Sequence, residues 1–151
     1  ILRCWASLWS DRAMGYRQRR GLPLDGGGMA VVIQAHVPAR AAAIVFTKHP
    51  VTGRADQIVV TAAPGLGEAL VSGIVTPDTA VVDKATRAMI EFTAGEPDPA
   101  GDGSPALTNS QLDELVELSL EVERASGMPV DIEAALAPDG WYLLQARPIT
   151  T

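Results

Sequence analysis

Short apolar runs alternate with polar, Gly- and Pro-rich segments along most of the chain, which is typical of strands joined by tight turns. Strands are predicted at residues 29–37, 41–47 and 57–63 and, as an antiparallel pair, within 79–93. The continuous apolar run at 29–37 has the character of a buried strand. The polar segment 95–106 predicts an exposed loop. Interleaved strands, hairpins and helices predict an α+β fold with a mainly antiparallel sheet.

Two segments have helical periodicity. Residues 1–20 predict an amphipathic helix with a basic outer face. Residues 107–129 predict a second helix, because Thr108 and Gln111 form a capping-box pattern and Gly127 supplies a stop signal.

The last apolar pair surrounds a turn signal. In VDIEAALAPDGWYLLQARPIT, residues 130–150, Pro138-Asp139-Gly140 separates two strand-like runs. A three-residue hairpin loop pairs Ala137 with Trp141. Counting back from that pair, Glu133 lies opposite Gln145 and Asp131 lies opposite Arg147.

These four polar residues allow two interpretations. Two acids beside a glutamine oxygen suit Mg²⁺, which prefers oxygen ligands and shares them with phosphates. Arg147 can fork onto a phosphate oxygen. The alternative is a surface hairpin whose Asp131 and Arg147 form an ordinary cross-strand ion pair. Spacing alone does not decide between them.

Composition narrows the class of protein. The chain has 151 residues, of which 47% are hydrophobic and 20% charged, so we expect one globular domain with a real core. The net charge of −6 argues against a general nucleic-acid binder. The one cysteine, Cys4, permits no internal disulfide and no cysteine zinc site.

Three further expectations concern the compartment, the partners and the extent of the chain. The cysteine usage favours a reducing, cytoplasmic compartment. No apolar run is long enough to span a bilayer, so no membrane partner is expected. The chain begins at Ile1, inside a helical pattern, and we therefore expect a fragment of a longer protein.

Several motifs occur together and in one order. They are FTKHPVTG at 46–53, GLGEALVSGIVTPD at 65–78, and DIE at 131–133 followed by QARPIT at 145–150. With the opening segment from Cys4 to Arg17, they resemble the ATP-binding domain shared by phosphoenolpyruvate synthase, pyruvate phosphate dikinase and rifampin phosphotransferase. The resemblance covers nearly the whole chain.

The resemblance implies an ATP-grasp fold, in which two lobes hold ATP between them. The chain looks like the C-terminal lobe, at 29–151, preceded by an entering helix and loop at 1–28. In the family, the N-terminal lobe supplies a lysine and a further arginine. The phosphoryl-carrying histidine belongs to a separate domain with a T-x-H-A segment, which this sequence lacks.

The resemblance also implies roles for the hairpin residues. Glu133 and Gln145 would hold Mg²⁺ against the phosphates of ATP. Asp131 would support them. Arg147 would bind phosphate and stabilise charge during transfer, as the catalytic residue.

Residues outside the hairpin receive roles from the same resemblance. Gln34 and the Val37 backbone would contact adenine, and Glu68 would lie near the phosphates and metal. His49 is expected to be a turn residue, and His36 is expected either to be packed or to lie at the rim of the sheet. Neither is expected to be the phosphocarrier.

Three functions follow from these observations. The first is part of a dikinase-type phosphotransferase, which uses Mg·ATP to phosphorylate a histidine on a partner domain for transfer to pyruvate or, alternatively, to rifampin. The second is a binding module that holds nucleotide or docks on the missing lobe without catalysis. The third is a hairpin stiffened by metal, without nucleotide.

Overall fold

The computed structural model describes residues 1–25, 27–96 and 103–149. Half of the loop predicted at 95–106, residues 97–102, lies outside the described residues. The chain divides into two compact units, residues 1–36 and residues 37–151. No helix within the described ranges is long and apolar enough to cross a membrane.

The first unit contains two short helices, α1 at Leu2–Ser7 and α2 at Asp11–Arg20. The prediction of one continuous helix over 1–20 was wrong. The break occurs because Ser10 adopts an extended conformation and its hydroxyl accepts a hydrogen bond from the Ala13 N–H at 3.3 Å, which starts a new helix. Gly21 ends α2 in the left-handed conformation, with φ of 64°.

Residues 29–37 form no strand, so the prediction of a buried strand there was wrong. Val32 and Ile33 are 86% and 79% exposed. A strand needs a neighbour that pairs with its backbone N–H and C=O groups, and none of the described strands pairs with this segment. An apolar run indicates that its side chains favour burial, but it does not specify a neighbouring strand to pair with.

The second unit is built on one six-stranded antiparallel sheet of order β4-β3-β2-β1-β5-β6. The strands are β1 Ala41–Phe46, β2 Gln57–Pro64, β3 Asp78–Asp83, β4 Met89–Thr93, β5 Val130–Ala137 and β6 Gly140–Pro148. The sheet and its helices confirm the predicted α+β class, including the antiparallel pair within 79–93.

A long helix, which we number α4 and which spans Asn109–Ser126, covers one face of this sheet. Its capping box is present as predicted: Thr108 Oγ1 accepts from the Gln111 N–H, and Gln111 Oε1 accepts from the Thr108 N–H. Leu115 and Val116 of this helix are fully buried. Together with strand residues such as Ile132, they form the main hydrophobic core. We call this side of the sheet the core face.

The opposite side of the sheet carries the short helix α3, Gly67–Val71. Leu70 of α3 packs on Ala42 of β1 and Ala63 of β2 in a second, smaller cluster. This cluster covers only part of the second face. We call this side the α3 face.

Candidate functional site

The β5–β6 hairpin brings the four predicted site residues together. Glu133 lies opposite Gln145, and Asp131 lies opposite Arg147, as the sequence predicted. Directly opposed residues share a face, and their Cβ atoms are about 5 Å apart. The hairpin therefore carries two adjacent polar pairs, separated along the strands by about 7 Å.

The predicted turn, however, was wrong. Ala137 pairs with Gly140, so two residues rather than three connect the strands. The register then shifts by one residue between Glu133 and Ala134. Leu144 is the extra residue of this β-bulge, and it replaces the third loop residue that the sequence predicted. The two departures cancel, and the site pairs have the expected register.

The polar pairs lie on the α3 face. Ile132 and Ala134 belong to the main core under α4, and side chains alternate along a strand. Asp131 and Glu133 therefore point to the other side. In the same rows of the sheet, Phe46 lies opposite Asp131 and Ile44 lies opposite Glu133, so apolar side chains of β1 border the polar groups.

Asp131 and Arg147 form a tight pair. Arg147 Nε donates a hydrogen bond to Asp131 Oδ2 at 2.7 Å. The Asp131 side chain is 10% exposed, whereas that of Arg147 is 63% exposed. The hydrogen bond to Asp131, and then its negative charge, raise the pKa of the Arg147 guanidinium, with a smaller contribution from Glu133.

One carboxylate oxygen of Asp131 can accept hydrogen bonds that it does not receive from the described residues. Asp131 Oδ1 is buried and finds no hydrogen-bond partner among the described residues. A buried carboxylate oxygen is costly to leave in this state. The carboxylate is therefore strongly dependent on the one cation that contacts it.

The Glu133–Gln145 pair offers two kinds of oxygen donor, a carboxylate and an amide. Glu133 is half-buried and Gln145 is exposed. Within the described ranges, no group of three or more His, Cys, Asp or Glu side chains is arranged to hold a metal. The donor set fits Mg²⁺ that is held mainly by a ligand's phosphates, since such ions use only one or two protein carboxylates.

The remaining predicted residues are placed as follows. Glu68 is exposed in the first turn of α3, on the same side of the sheet as the hairpin pairs. Val37 is half-buried, and its carbonyl accepts from the Ala39 N–H at 2.8 Å. Gln34 is exposed in the first unit.

The two histidines lie in different surroundings. His49 Nδ1 accepts from the N–H groups of Val51 and Thr52, at 3.2 and 3.3 Å, which is the turn role that the sequence predicted. His36 is exposed and lies outside the strands, so it is neither packed nor part of the sheet rim that was expected there. The expectation depended on a strand around His36, and that strand does not form.

Sequence reasoning missed the role of Asp78, the last residue of the GLGE…PD motif. Asp78 Oδ1 accepts from the Gly95 N–H at 2.8 Å, and Oδ2 accepts from the Ala106 N–H at 2.7 Å. Its carboxylate thus joins both ends of the segment between β4 and α4. The signal was the motif's closing Pro-Asp beside a Gly-rich loop, but only the fold shows which N–H groups it meets.

Comparison with known proteins identifies an AMP/ATP-binding domain. All of residues 1–151 match the family described as "Pyruvate phosphate dikinase, AMP/ATP-binding domain". The chain belongs to this family.

Curated relatives agree with this assignment. A probable phosphoenolpyruvate synthase of Methanothermobacter thermautotrophicus is 38% identical over 167 residues, covering 100% of this chain and 24% of its own length. A rifampicin phosphotransferase of Streptomyces sviceus is 40% identical over 166 residues, covering 100% and 19%. A prodigiosin synthesizing transferase, PigC, of Serratia marcescens is 39% identical over 165 residues, covering 98% and 18%. The chain thus spans between about a sixth and a quarter of these relatives.

Proposed function

We propose that the chain is the C-terminal lobe of an ATP-grasp nucleotide site and binds Mg·ATP on the polar pairs of the β5–β6 hairpin. The observation that carries this proposal is the register, which aligns Glu133 with Gln145 and Asp131 with Arg147 on one face of the sheet. A triphosphate can span two adjacent pairs about 7 Å apart.

Each pair has a distinct task in this proposal. Glu133 and Gln145 hold Mg²⁺, which neutralises phosphate charge when bound. Arg147 binds a phosphate through its exposed guanidinium and stabilises the charge that spreads over the phosphoryl oxygens during transfer. Gln34 and Val37 contact adenine, and Glu68 faces the phosphate side.

The reaction proposed for the whole protein is phosphorylation of a histidine on a separate domain, followed by transfer to pyruvate. The relative named as a phosphoenolpyruvate synthase supports this acceptor. The relative named as a rifampicin phosphotransferase, which covers the whole chain at 40% identity, supports rifampin as a second candidate. The N-terminal lobe and the histidine domain are further partners in this scheme.

For the isolated chain, we propose nucleotide binding without turnover. Phosphoryl transfer depends on several positioned cations, and Arg147 is the only basic residue of the hairpin strands. The protein would act in the cytoplasm, where ATP is available.

Calorimetric titration of the chain with ATP, with and without Mg²⁺, tests the proposal. Glu133→Gln removes a carboxylate from the hairpin and should weaken Mg·ATP binding about tenfold or more. Glu121→Gln is the matched control, because it makes the same change on an exposed position of α4, against the core face. Equal affinities in wild type and Glu133→Gln would refute the site.

The acceptor needs the longer protein. Incubation with Mg·ATP, followed by mass spectrometry under conditions that preserve phosphohistidine, should detect a modified histidine outside residues 1–151. Addition of pyruvate or of rifampin should then discharge it, and whichever compound does so is the acceptor. A phosphoryl group on His36 or His49 would contradict the proposal that the phosphorylated histidine lies on a separate domain.

A further inference from the structure

Asp131 and Arg147 differ sharply in their access to solvent. The carboxylate is nine-tenths buried, and one of its oxygens contacts Arg147 Nε while the other is unpartnered in the described part of the chain. A diffusible metal or phosphate cannot reach such a group without opening the sheet surface. Asp131 is therefore badly placed to contact a ligand directly.

Arg147 has the opposite character. A guanidinium has five N–H donors, one on Nε and four on the two terminal nitrogens. Asp131 takes the Nε donor. The four terminal donors have no protein partner among the described residues, and the side chain is 63% exposed. A hydrogen bond at Nε restrains the guanidinium plane and leaves the terminal fork available, which is the arrangement that phosphate recognition uses.

We infer that Asp131 is a positioning residue that acts through Arg147: its buried carboxylate fixes the guanidinium so that the terminal fork meets a phosphate beside the Glu133–Gln145 pair. This inference rests on the proposed function for the identity of the phosphate ligand. It assigns Asp131 to the arginine and not to the metal. Glu133, which is half-buried on the same strand, remains the carboxylate that a metal can reach.

The unpartnered oxygen gives this role a signature that a purely structural role lacks. Asp131→Asn removes a buried charge and nearly preserves the shape of the side chain, and the partner that it leaves behind, Arg147, is exposed to water. Asp131→Asn should therefore leave the urea unfolding midpoint unchanged or higher. It should nevertheless weaken Mg·ATP binding about tenfold, because the guanidinium loses a charged partner.

A double-mutant cycle separates action through Arg147 from direct action on the metal. We expect Asp131→Asn to weaken binding in wild type but to cause no further loss in an Arg147→Ala background. Asp113→Asn, which changes an exposed residue of α4, is the matched control. Equal losses in both backgrounds, or no loss in wild type, would overturn the inference.

Two additional measurements keep the test decisive. The Arg147 Nε–H proton, whose resonance is assigned by its absence in Arg147→Lys, should exchange slowly with water in wild type. Rapid exchange would overturn the inference even if the Asn variant fails to fold.

Inorganic tripolyphosphate, titrated in parallel, separates the two proposals. If tripolyphosphate binds in an Asp131-dependent manner while Mg·ATP does not bind, the nucleotide site fails and the positioning role stands. If neither binds, both fail.

Discussion

Arg147 Nε donates a 2.7 Å hydrogen bond to Asp131 Oδ2 across the two strands of the closing hairpin, joining an exposed cation to a buried carboxylate. Surface ion pairs commonly add little stability. Here a buried carboxylate restrains the exposed guanidinium, and we infer that the pair orients Arg147. That orientation links the fold of the hairpin to the proposed phosphate contact.

Arg147→Lys should weaken Mg·ATP binding about tenfold, although it preserves the charge. A lysine has one ammonium group, which can contact Asp131 or a phosphate but lacks separate donors arranged for both. Calorimetric titration measures the effect, and a similar urea midpoint in both proteins would show that the fold is intact. Wild-type affinity in Arg147→Lys would mean that charge alone suffices at this position.

The hairpin site could be predicted from sequence because its information is local. The Asp131–Arg147 and Glu133–Gln145 pairs follow from alternation and a turn signal between two short strands. The turn length was nevertheless wrong, and the bulge at Leu144 compensated for it. A three-residue turn without a bulge and a two-residue turn with a bulge at Leu144 give the same register at the site, so the sequence pattern could not distinguish them.

Other features depend on partners that a sequence pattern does not specify. The apolar residues Val32 and Ile33 predicted a strand, but none of the described strands pairs with them. The break at Ser10 could have been foreseen from its capping chemistry, yet the helical periodicity continues through it. The bonds from Gly95 and Ala106 to Asp78 join positions 17 and 28 residues away, and only the folded chain brings them together.

Asp78→Ala should lower the free energy of unfolding by about 2 kcal/mol, because two backbone N–H groups lose a charged acceptor. Urea denaturation monitored by tryptophan fluorescence measures this. Asp113→Ala, at an exposed position of α4, is the control and should change the midpoint little. Comparable small effects for both variants would show that Asp78 does not hold the segment after β4.

Gly95→Ala should be more damaging than its size suggests. A Cβ at this position would overlap the Thr76 carbonyl oxygen and lie 2.5 Å from the Pro77 carbonyl carbon, so the backbone would have to move. We expect a loss of about 3 kcal/mol. Gly67→Ala is the matched control, since its Cβ would meet only the Ala42 side chain, at 3.4 Å, and alanine favours the helix. A midpoint for Gly95→Ala at or above that of Gly67→Ala would contradict the expected clash.

Acid should destabilise the fold through two carboxylates near the β3–β4 turn. Hydrogen bonds from the Thr86 N–H and hydroxyl, and from the Ala85 N–H, lower the pKa of Asp83 below its ordinary value of 3.8. The hydrogen bond from Arg87 lowers the pKa of Glu117 below 4.5. A folded-state pKa below the unfolded one means that unfolding takes up protons, so this stability is complete above the ordinary values and is lost as pH falls through the folded ones.

The urea midpoint should therefore decrease as pH falls from 4.5 for Glu117 and from 3.8 for Asp83. Asp83→Asn keeps an oxygen acceptor but has no proton to take up, so its deficit relative to wild type at neutral pH should shrink in acid. Asp113→Asn, the exposed control on α4, should follow the wild-type profile more closely. A deficit of Asp83→Asn that stays constant into strong acid would show that the charge of Asp83 contributes nothing to the turn, since only a charge-dependent contribution disappears on protonation.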